Sequence, residues 1–149
     1  MGFDIYGLKP VKRTRKPRMP KGKMQLTNGS KWYSYFDKME KFYKENKGYY
    51  FRNNVWYWRP LAHIMCSVMA EKGIYTRNRE AILSYNDNRT IDSGTARIIC
   101  DGLKELLRDR ERLKSLVAQY DDKQSYVFEV SNLKEFILFL EEANGFRVC

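Results

Sequence analysis

The stretch "GYYFRNNVWYWRPL" at residues 48–61 contains six aromatic rings, two arginines and two adjacent asparagines in fourteen positions. It has two interpretations. Either rings and arginines form a surface that stacks bases and holds phosphates, or the rings pack a helix onto its neighbour. The core interpretation is favoured, although alternate side chains of an extended segment point in opposite directions, so both can hold. The candidate binding residues here are Arg52, Asn53, Asn54, Trp56, Trp58 and Arg59.

The chain is large enough for one folded domain, and its positive charge is unevenly distributed. Of its 149 residues 43% are hydrophobic, which is sufficient for a core without disulfides or a metal. The formal net charge is +10, and the segment from Lys9 to Lys23 supplies eight basic residues and no acidic one, leaving +2 for the rest. The attraction for polyanions therefore belongs mainly to this segment.

These patterns divide the chain into three parts. Residues 1–8 are predicted to contain a short strand, residues 9–29 form a basic, proline-containing arm, and residues 30–149 form a helical α+β domain. Three of the four prolines and a run of like charges predict that the basic arm is extended or mobile when free. It is either a nucleic-acid contact or a solvated tail. The contact is favoured, through Lys12, Arg13, Arg15, Lys16 and Arg18.

Helical periodicity dominates the remainder. Apolar residues at helical spacing predict a helix over 30–47, a second beginning at Trp58 or Arg59 with Pro60 in its first turn, and a short one around 80–84. Asp92 is expected to cap a fourth helix, another run follows near Leu113, and Ser131 is expected to cap the last. The predicted core comprises Trp32, Phe36, Met39, Leu61, Ile64, Met65, Val68, Ile99, Leu103, Leu106, Phe136, Ile137 and Leu140.

Three short segments rich in strand-forming residues predict a small sheet. They lie near residues 3–6, 126–130 and 146–149. Together with the helices, they predict a predominantly helical α+β single domain whose sheet is built from short terminal strands.

The segment "YNDNRTID" at residues 85–92 gathers polar side chains in a predicted loop. Asn86, Asp87 and Arg89 are candidate ligand-binding residues, because such groups form polar pockets. Turn chemistry is favoured, in which Asn and Asp side chains bond the neighbouring backbone.

Motifs that would indicate an enzyme are missing from the sequence. His63 is the only histidine and no neighbouring motif supplies a catalytic partner, while three widely spaced cysteines fit neither a disulfide framework nor paired metal ligands. We therefore predict a protein without catalytic activity, cofactor or metal. The cysteines favour a reducing cytoplasm, and no segment approaches the length of a membrane span.

Four segments resemble motifs of small uncharacterised proteins from bacteriophages and some bacteria: "MGFDIYG" at 1–7, the 48–61 stretch, "YNDNRTID" at 85–92 and "EEANGFRVC" at 141–149. The resemblance implies a phage origin, hence the host cytoplasm, and no particular activity. Relatives often carry a cysteine-rich, zinc-ribbon-like insertion before the last motif. Here "AQYDDKQSYVF" is short and contains no cysteine, so no metal site is implied.

Two functional hypotheses follow, and a third, an enzyme that acts on nucleotides or nucleic acid, ranks below them. The first is a phage-type, non-enzymatic accessory protein that binds nucleic acid or a host nucleoprotein through the basic arm and an arginine and aromatic surface. The second is a counter-defence protein that binds a host immune factor or sequesters a nucleotide signal in a folded pocket. That pocket would contain Arg52, Asn53, Asn54, Arg59 and the 86–92 loop. The sequence does not define the oligomeric state.

Overall fold

The structure, a computed structural model, describes residues 2–120 and 126–149. Within these ranges the chain forms six α-helices, four strands and a single 3-10 turn at Leu26–Asn28. The helices are α1 Gly29–Glu45, α2 Val55–Glu71, α3 Arg77–Ser84, α4 Ser93–Arg108, α5 Arg110–Gln119 and α6 Val130–Ala143. The strands are β1 Gly2–Gly7, β2 Tyr50–Asn54, β3 Thr90–Ile91 and β4 Phe146–Val148.

All pairings in the sheet are antiparallel, and the strand order is β2-β1-β4-β3. In β1 the side chains of Phe3 and Ile5 are buried, whereas those of Asp4 and Tyr6 point to the opposite, outer face. The prediction of a predominantly helical α+β domain is confirmed. Two of the three expected strands are present, and β2 and β3 were not predicted.

The core lies on the inner face of the sheet, and Trp58 is at its centre. This side chain is fully buried, and its ring stacks on Phe3 with 5.5 Å between centroids and is nearly perpendicular to Phe136 at 5.8 Å between centroids. Its indole Nε1 donates a hydrogen bond to the Leu83 carbonyl at 2.7 Å. The polar atom of the largest buried ring is therefore satisfied, as burial requires. Trp58 is a core residue, and its prediction as a binding residue is wrong.

Helix α2 begins earlier than its sequence predicts. It starts at Val55, with Asn54 as its N-cap, so Pro60 lies in the second turn and not the first. A proline has no N–H to bond the carbonyl four residues earlier. That carbonyl belongs to Trp56, and it accepts instead from the Val127 N–H at 3.1 Å.

The same contact corrects the strand expected at residues 126–130. Residues 126–129 have no regular secondary structure, α6 already begins at Val130 and its N-cap is Glu129, not Ser131. Residue 125 lies outside the described residues. The residues that predicted a strand instead bond a carbonyl of α2 through Val127 and form the start of α6 at Val130.

The predicted helical faces are mostly right, with one exception in α1. Eleven of the thirteen predicted core residues are buried, but Phe36 is 48% exposed and Trp32 is only partly buried. The buried residues of α1, Met39 and Phe42, lie in its C-terminal half. The N-terminal half of α1 faces the basic arm and the solvent, so the aromatic residues of this half do not reach the core.

Backbone segments approach closely where β1 ends and β2 begins. A Cβ at Gly48 would collide with the Glu142 carbonyl, and one at Gly7 would collide with the Gly48 carbonyl. Glycine at both positions lets α6 meet the end of the sheet. The chain then leaves β1 next to the last turn of α6. None of the described helices is long and apolar enough to cross a lipid bilayer.

Candidate functional site

Leu8 and the first residues of the basic arm lie against the end of α6 and the turn that follows it. The N–H groups of Leu8, Lys9 and Val11 donate to the carbonyls of Gly145, Ala143 and Glu142 at 3.0, 3.2 and 2.8 Å. Carbonyls in the last turn of a helix have no partner within it. The arm supplies those partners, so its beginning is attached to the folded body.

Asn46, just after α1, holds the next part of the arm. Its side chain is fully buried. Oδ1 accepts from the N–H groups of Arg13 and Thr14 at 2.6 and 3.1 Å, while Nδ2 donates to Thr14 Oγ1 at 2.7 Å and to the Phe42 carbonyl at 2.8 Å. Every hydrogen-bonding position of this amide is therefore used. An asparagine after a helix is a common cap, and the sequence gives no signal for this role.

Arg13 is part of the attachment and not of a free basic surface. Its guanidinium binds Glu142 Oε1 through Nε at 3.1 Å and also through Nη2. The bond to the Glu142 carboxylate raises the pKa of Arg13 above its usual value. Because this charge is already paired, Arg13 fits its predicted phosphate-binding role poorly. Lys12 is exposed beside it.

Beyond Thr14 the arm runs along α1, and the two enclose a groove of about 890 Å³. We call it the arm groove. Arg15, Lys16 and Arg18 line it from the arm, and Lys31, Lys38 and Lys41 line it from α1. Its acidic side chain, Glu45, lies 3.7 Å from Lys41 Nζ. The rings of Tyr35 and Phe42 form part of the wall, so the groove is strongly positive with aromatic surface in it.

A second polar surface lies on the outer face of the sheet. The register places Asp4 opposite Arg52, and Tyr6 opposite both Tyr50 and Arg147. Tyr50 donates to Asp4 Oδ1 at 2.5 Å, and Arg52 Nε lies 3.6 Å from the same oxygen. Burial, and next the nearby Asp4, raise the pKa of the Tyr6 and Tyr50 hydroxyls, which remain neutral at physiological pH.

The asparagines of the 48–61 stretch have structural roles. Asn53 is buried, and its amide forms a reciprocal pair with Asn132 in which each Nδ2 donates to the other's Oδ1 at 2.8 Å. Asn54 caps α2 by accepting from the Tyr57 N–H at 3.2 Å. The expectation that Asn53 stays accessible for a ligand is wrong, because strand alternation turns it inward.

Arg52 and Arg59 do not form a common surface. Arg52 is on the outer sheet face, whereas the Arg59 guanidinium carbon lies 5.6 Å from the ring centroid of Phe3, which belongs to the inner face. Trp56 is half exposed and packs on Tyr126 at 5.6 Å between ring centroids. The arginine and aromatic platform expected from the sequence is thus divided between two sides of the sheet.

The 85–92 loop shows the turn chemistry that the sequence favours. Arg89 Nε donates to Asp87 at 2.8 Å, which lowers the pKa of that carboxyl, and Asn88 has a φ of 67°, the left-handed region. Asp92 caps α4, accepting from the Thr95 N–H at 2.9 Å. Asn86 is exposed. Asp87 and Arg89 thus form an ion pair with each other.

The depression beside Arg52 is not suited to a phosphate. Asn53, Asn54, Tyr57, Glu129 and Glu135 help to line it, and its lining includes neither Arg59 nor residues 86–92. In the described ranges, no three His, Cys, Asp or Glu side chains come together as a metal site.

No protein-family model, curated protein or solved structure matches this chain. The resemblance to phage proteins therefore stays a prediction.

Proposed function

We propose that this protein binds nucleic acid in the arm groove, as a non-enzymatic accessory protein of the phage type. The observation that carries the proposal is the charge of the lining. Six basic side chains face one acidic side chain, and that acid already has a lysine beside it. Phosphate backbones are the polyanions that such a surface attracts most strongly, because each neutralised phosphate releases a counterion.

The shape of the groove supports a linear ligand. Its α1 wall extends from Ser30 to Glu45, which is about 22 Å along the helix axis at the usual rise per residue. Successive phosphates of one duplex strand are about 3.4 Å apart along the axis. A strand lying in the groove would therefore place several phosphates near its lysines and arginines.

The attachment of the basic arm favours binding further. A tail that is mobile when free loses conformational freedom when it binds, and that loss weakens the complex. Here Asn46 and Glu142 hold the arm at Arg13 and Thr14. Because the preceding residue, Thr14, is held in place, Arg15, Lys16 and Arg18 have less conformational freedom to lose, which reduces the entropic cost of binding.

The nucleotide-pocket alternative has less support. Its two arginines are on different faces of the sheet. The depression beside Arg52 contains two glutamates, which repel phosphate.

The test compares two triple variants with equal changes in charge. Arg15→Gln, Lys16→Gln and Arg18→Gln remove three charges from the groove. The control, Arg108→Gln, Arg110→Gln and Lys134→Gln, removes three from exposed positions outside its lining. Binding of a labelled oligonucleotide is measured by fluorescence anisotropy at several salt concentrations.

We expect the groove variant to bind more weakly and the slope of log affinity against log salt to fall by roughly 2 to 3, at 0.7 to 0.9 per phosphate contact. The control should keep most of the affinity and slope. Equal losses in both variants would mean that only net charge matters. Failure of the unmodified protein to bind any oligonucleotide at low salt would exclude the proposed function.

A further inference from the structure

The outer face of the sheet carries aromatic rings and arginines together. Tyr6 and Tyr50 are neighbours on adjacent strands, with 5.2 Å between their ring centroids. The Arg147 guanidinium lies 5.7 Å from the Tyr6 ring centroid, and Arg52 flanks the pair from β2. Both tyrosines are partly exposed. Aromatic side chains on a sheet face are a common platform for bases in RNA-binding domains.

A row of ring contacts, which begins at the buried Phe42, places this face next to the arm groove. Phe42 lines the groove and contacts Tyr43 at 5.9 Å between ring centroids. Tyr43 contacts Tyr50 at 4.9 Å, and Tyr50 contacts Tyr6. The depression at Tyr43 and Tyr50 contains Lys44 and Lys47 together with Glu40 and Glu135. On the sheet, Asp4 is paired with Tyr50 and Arg52, so a strand that leaves the groove over this face meets paired as well as positive charges.

The charge state of the two rings suits stacking. The Tyr50 hydroxyl donates a hydrogen bond to Asp4. Both hydroxyls are neutral at physiological pH, as tyrosines ordinarily are, and burial raises their pKa further; the rings therefore do not repel a phosphate backbone. Arg147 supplies a positive charge beside Tyr6, whereas Arg52 is already paired with Asp4.

We infer that the ligand is a single-stranded nucleic acid, whose bases stack on Tyr50 and Tyr6 while its phosphates occupy the arm groove. Bases in a duplex are already stacked inside it, so aromatic side chains bind unpaired bases. This inference rests on the proposed function, which by itself does not distinguish single strands from duplex.

The test uses single-stranded DNA, single-stranded RNA and duplex DNA of equal length with four variants. Tyr6→Leu and Tyr50→Leu remove a ring, and Tyr50→Phe keeps the ring but removes the bond to Asp4. Tyr85→Leu is the matched control, because Tyr85 is 61% exposed and lies outside both surfaces. Circular dichroism confirms that each variant is folded.

We expect the unmodified protein to prefer a single strand to duplex. Each leucine variant should lose about 5- to 100-fold in single-strand affinity, the range for one stacked base, with an unchanged salt slope. Tyr50→Phe and Tyr85→Leu should retain binding. A preference for RNA over DNA would indicate contact with the 2′-hydroxyl, and equal affinity would place recognition on the bases.

A second measurement avoids substitution entirely. Ultraviolet cross-linking of the unmodified protein to a single-stranded oligonucleotide should label the tryptic peptides that contain Tyr6 or Tyr50. Groove variants that weaken binding, together with leucine variants that do not and no cross-link to either tyrosine, would overturn the inference and leave the proposed function standing. Absence of binding to every probe would overturn both.

Discussion

The side chain of Asn46 is joined to Thr14 through both polar atoms of its amide. Nδ2 donates to Thr14 Oγ1 at 2.7 Å, and Oδ1 accepts from the Thr14 N–H at 3.1 Å. The two residues are 32 positions apart in the chain. This contact attaches the basic arm to the end of α1, at the position where the arm begins to line the arm groove.

Replacing Asn46 by alanine should release the arm. The change removes four hydrogen bonds of a buried amide, so the free energy of unfolding should fall by about 1–3 kcal/mol. Amide hydrogen exchange should become fast at Arg13 and Thr14 while α2 and α4 stay protected. The control is Asn86→Ala in the exposed 85–92 loop. Unchanged protection at Arg13 and Thr14 would show that Glu142 alone holds the arm.

Phe136→Ala should be among the most damaging substitutions. Phe136 is fully buried and its ring contacts those of Phe51, Trp58, Phe139 and Phe146. Leaving a cavity there should cost about 3–5 kcal/mol, measured by urea denaturation. Leu138→Ala on the same helix is the matched control, since Leu138 is exposed. Similar midpoints for the two variants would show that the α6 face is assigned wrongly.

Gly48→Ala should destabilise the fold through a backbone collision. The added methyl group would meet the Glu142 carbonyl, which belongs to α6 and cannot move alone. We expect a loss of about 1–3 kcal/mol, as for other overpacked sites. Gly29→Ala is the comparison, because its Cβ would be 3.7 Å from the nearest side-chain atom and alanine favours helix. A neutral Gly48→Ala would contradict the close approach.

Stability should depend on pH through His63. Burial lowers the pKa of this imidazole below its usual 6.5, and its Nε2 is buried with no hydrogen-bond partner among the described residues. The folded state therefore binds the proton less readily than the unfolded state. The contribution of His63 to the free energy of unfolding is therefore complete above about pH 6.5. It declines as the pH falls toward and through the pKa of His63 in the folded state.

The matched variant is His63→Phe, which keeps a ring beside Tyr120. Thermal unfolding of both proteins at a series of pH values should show a difference that changes below pH 6.5 and is constant above it. A constant difference throughout would mean that His63 does not titrate differently on folding.

Local patterns predicted most of the helices because each helix buries one stripe on a shared core. Ile64, Val68 and Leu103 recur at helical spacing and are buried. The α1 stripe was the exception, since Phe36 has the right spacing but no core opposite it. Spacing reports that one face is apolar and says nothing about what covers that face.

The candidate site depends on contacts between distant residues, which local patterns do not encode. Val127 is not in a strand; its N–H bonds the Trp56 carbonyl, which has no partner within α2 because Pro60 lacks an N–H. Likewise, the arm's charges were visible in sequence, but their groove depends on Asn46 and on Glu142, 129 residues from Arg13. Arg52 and Arg59 were separated by the alternation of β2 and by the early start of α2.

The reciprocal amides of Asn53 and Asn132 have a consequence for the edge strand. Strand β2 lies at the border of the sheet and pairs with β1 alone among the described strands. A slip of one residue would turn Arg52 and Tyr50 inward and bring Phe51 to the solvent. Apolar packing penalises that slip, and a donor and acceptor pair at one fixed position adds to the penalty, because a slipped strand would leave the partly buried Asn132 amide without its partner. The Asn53–Asn132 pair therefore helps to fix the register of β2. The positions of Tyr50 and Arg52 on the outer face thus depend on a contact made on the inner face.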